Sequence, residues 1–119
     1  MEDIDKRQII ASMLRIVDHI SDKSYQRRVW IKGEGPEVDD FDETICHFFQ
    51  GAEGIIDHCK EFSLTEDQLQ ILMSFRDELQ KFSDENDLPE LFIDTPQWGK
   101  IVQMAKEVLA AFKSKKRAD

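Results

Sequence analysis

Three groups of side chains have the types and spacing that chemistry requires. Cys46, His47, His58 and Cys59 form a mirrored set of zinc-type ligands. Glu34, Glu37, Asp40 and Glu43 make a ladder of carboxylates of the kind that binds Mg²⁺ in small helical hydrolases, and Asp84, Glu85, Asn86 and Asp87 an oxygen-rich cluster of Ca²⁺ type. Each meets an obstacle. On one continuous helix His47 and His58 point in nearly one direction but lie about 16 Å apart along the axis, too far to share an ion. No His-Glu-x-x-His or Glu-x-x-His pair occurs. Gly35 and Pro36 stand between Glu34 and Glu37, which argues against a shared helix face, and no second carboxylate pair follows closely. The 84–87 cluster lacks the turn glycine and later glutamate of an EF-hand. His19, His47 and His58 have no activated serine or cysteine partner, and GEGPE lacks the Lys-Ser/Thr of a phosphate loop. The expectation is a protein with no catalytic residue, no metal and no cofactor.

What remains is charge. Glu34, Glu37, Asp39, Asp40, Asp42 and Glu43 place six acids in ten residues, and Asp84, Glu85, Asp87, Glu90 and Asp94 place five in eleven. The plain reading is helix-start charges and solvated loops, with Arg27, Arg28 and Lys32 neutralising part of the first run. The functional reading is an electronegative surface for a basic partner, with Trp30 as its aromatic anchor, since interface hot spots favour tryptophan. The candidate partner-binding residues are then Trp30, Glu34, Glu37, Asp39, Asp42, Asp84 and Asp87.

Helices must position these groups. The stretch from Asp40 to Lys60 carries Phe41, Ile45, Phe48, Ala52, Ile55 and Cys59 in steps of three and four, one stripe of a helix. Asp40 and Glu43 are spaced as a capping box at its start. Gly51 and Gly54 inside it imply a close neighbour or a bend. Cys46 and Cys59, about 20 Å apart on an unbroken helix, are too distant for a disulfide and are expected as buried thiols. A first helix is expected over 4–20, with Asp3 and Asp5 at its positive end. A short helix follows over 25–31, capped by Ser24 and ended by Gly33, with a strand as its competitor. Thr65 and Gln68 open a third long helix through Phe82. Residues 83–94 form an acidic loop or single helical turn over the core. Thr95 and Pro96 open the last helix, whose stripe includes Trp98 and Ile101, and residues 113–119 form a frayed basic tail.

These elements make one domain, all-α, a compact bundle of four main helices with an extra short helix or turn after the first. At 119 residues the chain is long enough for a single core, and its 40% hydrophobic content is that of a folded protein. A net charge of -9 argues against binding nucleic acid or an anionic membrane, and no apolar run approaches the length of a membrane span. The N-terminal MEDIDKRQII is acidic where a signal peptide is basic, which gives a cytoplasmic expectation. The functional expectation is a non-enzymatic interaction domain of the bacterial cytoplasm. Its most concrete form is an immunity protein that neutralises a basic toxin, such as a nuclease. A regulatory or adaptor module and a small Mg²⁺-dependent hydrolase using Glu34, Glu37, Asp40 and Glu43 are the alternatives.

Overall fold

The computed structural model describes residues 3–37 and 39–117, with side chains for residues 6–37 and 39–113. Regular structure among them is all helical: α1 (Asp3–Ile20), α2 (Lys23–Tyr25), a π-helical segment (Gln26–Ile31), α3 (Phe41–Asp57), α4 (Glu66–Glu85), α5 (Pro89–Phe92) and α6 (Pro96–Arg117). The four long helices form the bundle: α6 packs on α4 and α1, and α3 on α1 and α4. Their apolar stripes meet in one core, where Val17, Phe48, Ile55, Leu72, Phe75, Leu79, Trp98 and Val108 are fully buried.

The capping chemistry is largely as the sequence implies. Thr65 and Gln68 form a reciprocal box at the start of α4. Thr95 Oγ1 accepts from the Trp98 N–H at 3.3 Å, with Pro96 at the first helical position. At α3, Asp40 accepts the Glu43 N–H at 2.8 Å, so one half of the expected box is made. Among the described residues three polar side chains, Gln26, Thr44 and Gln68, are buried within helical segments at 0%, 3% and 3% exposure, and all are hydrogen-bonded.

Four expectations change. The central helix ends at Asp57, because His58 (φ -116, ψ 35) leaves helical geometry while its N–H still bonds to the Gly54 carbonyl. Cys59 therefore sits half-buried in a turn that closes through Ser63 at φ 56. Cys46 is exposed, since its place beside Ile45 carries it off the apolar stripe, and both thiols are free. Asp22, not Ser24, caps the short helix, accepting the Tyr25 N–H at 3.1 Å. Finally, α4 runs on to Glu85, past Phe82, so the acidic connection is shorter than expected and centres on the single turn α5.

The helix interior around Gly51 and Gly54 is unbroken. A β-carbon at Gly51 would stand 3.8 Å from Met13 Cβ of α1, an ordinary contact, and one at Gly54 would meet nothing within 4 Å. The tail expected to fray from residue 113 continues α6 through Arg117, while residues 118 and 119, the side chains of 114–117, and those of Asp3 and Asp5 lie outside what is described.

Candidate recognition surface

The site begins where α1 stops. A helix end leaves its last carbonyls without partners, and Gln26 supplies two of the missing donations from Nε2, to His19 O at 2.9 Å and Ile20 O at 2.8 Å. Its Oε1 accepts from Trp98 Nε1 at 2.8 Å. Gln26 is completely buried and fully bonded, so it ties the end of α1 to the start of α6. The wide π winding, with Lys32 N–H bonding five residues back to Arg27 O at 3.0 Å, accompanies this inward placement of Gln26 beside Val29.

Trp30 emerges from the same segment into a ring cluster. Its ring lies 5.6 Å from Phe41, 6.1 Å from Trp98 and 6.5 Å from Tyr25, and Phe92 and Phe82 extend the cluster toward α4. Trp30 is half-buried, and its Nε1 donates to Asp39 Oδ2 at 3.3 Å. Tyr25 Oη donates to the same oxygen at 2.8 Å, and Thr44 Oγ1 lies within 2.9 Å of both carboxylate oxygens. Burial, then the adjacent Asp39 carboxylate, raise the Tyr25 hydroxyl well above the usual tyrosine range, so it stays a donor. Asp39 is thus an internal post joining α2, the π segment and α3.

Glu37 is engaged too. Arg28 reaches over Gly35 to bind it with both guanidinium nitrogens, at 2.8 and 3.1 Å. The arginine holds the Glu37 carboxyl down at about 2. Gly35 permits this: at φ +95 its backbone is left-handed, and a β-carbon there would lie 2.2 Å from Arg28 Nη1. On the far side of the segment Arg27 pairs with Asp94.

The remaining acids face solvent. Glu34, Asp42, Glu43, Glu85, Asp87 and Glu90 are exposed, and none has a described cationic partner; Asp84, also exposed, accepts from Gln80 Nε2 at 3.0 Å. The fold gathers the two runs. Phe41, at the start of α3, stacks edge-on against Phe92 of α5 at 4.8 Å, Phe92 meets Phe82 of α4 at 4.9 Å, and Arg27–Asp94 ties the π segment that precedes the first run to the second. Runs that are some forty residues apart in sequence therefore share one end of the bundle.

Of the seven candidate residues, the structure places Glu34, Asp42, Asp84 and Asp87 as exposed acids at this end. Glu37 is exposed but committed to Arg28, and Asp39 and Trp30 are half-buried and bonded to each other. Composition could not separate Asp39 from Asp42, because the difference lies in donors brought from Tyr25 and Trp30. Of the four apolar residues of the second run expected to lie over the core, Leu88, Leu91, Phe92 and Ile93, only the last two do so. Leu88 and Leu91 stand out of the second run at 49% and 73% exposure, while their neighbours Pro89, Phe92 and Ile93 are buried.

Two hollows flank the site. One, of about 270 Å³, is lined by His19, Tyr25, Glu37, Asp39, Glu43 and His47, with the His19 ring stacked on Tyr25 at 3.9 Å. The other is an open cleft of about 610 Å³ whose lining includes Asp18, Asp22, Lys23 and Lys106. Among the described residues no three His, Cys, Asp or Glu side chains are grouped to hold a metal ion, and no helix is long and apolar enough to cross a membrane. Compared with known proteins, the chain matches no family model, no curated protein and no solved structure.

Proposed function

We propose that this protein is a non-enzymatic interaction domain whose acidic end binds a basic protein, most concretely as an immunity protein that neutralises a basic toxin such as a nuclease. One observation supports this reading: two separate acidic runs meet at one end of the bundle, where Glu34, Asp42, Asp84 and Asp87 face solvent. Such a concentration of one sign of charge attracts an oppositely charged partner and speeds its approach. The net charge of -9 makes association with nucleic acid unfavourable by the same physics. Asp39, Trp30 and Glu37, each already bonded within the chain, frame this surface.

The test starts with capture of partners from the native host and with the product of the neighbouring gene. Asp42→Lys/Asp87→Lys should then reduce the association rate about tenfold at low salt, with a smaller change in dissociation. A partner whose association rate ignores both the reversal and the salt concentration would refute electrostatic recognition at this end.

A further inference from the structure

Helix α5 is a single turn, and its geometry decides which way its side chains go. Leu91 N–H bonds to Leu88 O at 2.9 Å, and Ile93 N–H to Pro89 O at 2.9 Å. This winding turns Pro89, Phe92 and Ile93 into the core, where Phe92 packs against Trp98 at 4.8 Å, and leaves Leu88 and Leu91 on the outside. They are the large apolar side chains left exposed among the described residues. A turn seated by three buried residues places them on its outer side. Asp84, Glu85, Asp87 and Glu90 surround them in sequence, all exposed and none with a described cationic partner.

We infer that Leu88 and Leu91 form the apolar centre of a docking surface for a basic amphipathic segment of another protein, one that presents apolar side chains between lysines or arginines. This rests on the acidic-end reading and deepens it by assigning the contact that supplies dry area. An apolar centre within a charged rim is the arrangement in which buried side chains carry affinity while the rim excludes water and selects the partner. Charge chooses the occupant. A second copy docking through a two-fold axis would set the same acids against one another, and like charges in apposition oppose that assembly. A cationic segment neutralises them.

The probe is an 18-residue helical peptide of leucine and lysine, with leucines at three- and four-residue spacing, compared with a charge-matched serine and lysine peptide. Wild-type protein should bind the leucine peptide at least about tenfold more tightly, with amide shifts centred on residues 88–91. Leu88→Ser/Leu91→Ser should abolish that preference while leaving affinity for the serine peptide, and the thermal melt, unchanged. Equal affinity of wild-type protein for both peptides, or a preference that survives the double substitution, overturns the leucine surface while leaving electrostatic recognition standing. Failure of wild-type protein to bind either peptide overturns both. A dimer in sedimentation equilibrium that Leu91→Ser dissociates would assign the surface to self-association and overturn the proposal.

Discussion

Asp39 and Asp42 are the same residue type three positions apart, yet they belong to different parts of the molecule. Asp39 accepts from Tyr25 and Trp30 and lies beside the Thr44 hydroxyl, while Asp42 is exposed. Asp39→Ala should cost about 2 kcal/mol in denaturant unfolding, because it strands half-buried donors, whereas Asp42→Ala should stay within about 0.5 kcal/mol. Gln26→Ala should cost more, about 3 kcal/mol, since it strips the Ile20 carbonyl and the Trp98 N–H of the Gln26 side chain and leaves the His19 carbonyl with only the Asp22 N–H. Glu37 gives a pH signature. Its folded carboxyl titrates at about 2 against an ordinary 4.5, so the Arg28 contact stabilises fully above about pH 4.5 and is lost as pH falls toward 2. A carboxyl NMR titration should show the low value in wild type and a return toward 4.5 in Arg28→Ala.

At the scale of elements, the periods of α1, α3, α4 and α6 and the caps at Thr65 and Thr95 were legible because they depend on neighbours within a few residues. The π winding was not, because Gln26 is drawn inward by a bond to Trp98, seventy-two residues away. The same locality limits explain the overextended central helix. The apolar spacing continues to Cys59, but the backbone leaves the helix at His58. The glycines separate into two kinds. Gly54→Ala should stabilise the protein by up to about 1 kcal/mol, since helix propensity rises and the added methyl meets open space. Gly35→Ala should destabilise it by about 1 kcal/mol or more, because φ there is +95, and should displace Arg28 from Glu37. Melting the two variants side by side checks the opposite signs.

The whole molecule is a bundle with dissimilar ends. The all-α class and the core were readable from stripes, and Phe48→Ala should remove about 3 to 5 kcal/mol, as expected for a fully buried ring that packs on Phe75. The convergence of the two acidic runs was not readable, because it arises from the meeting of Phe41, Phe82 and Phe92 across three helices. That aromatic knot also holds both tryptophans, Trp30 and Trp98, with ring centres 6.1 Å apart. Intrinsic emission is therefore a local thermometer of the acidic end. Loosening at the opposite end, around Phe62 in the turn between α3 and α4 and Phe112 near the end of α6, should leave the emission spectrum unmoved while ellipticity at the helical band declines. Coincident transitions in the two signals would mean that the bundle melts as one cooperative unit, and a lagging fluorescence transition that the tryptophan end is the last to open.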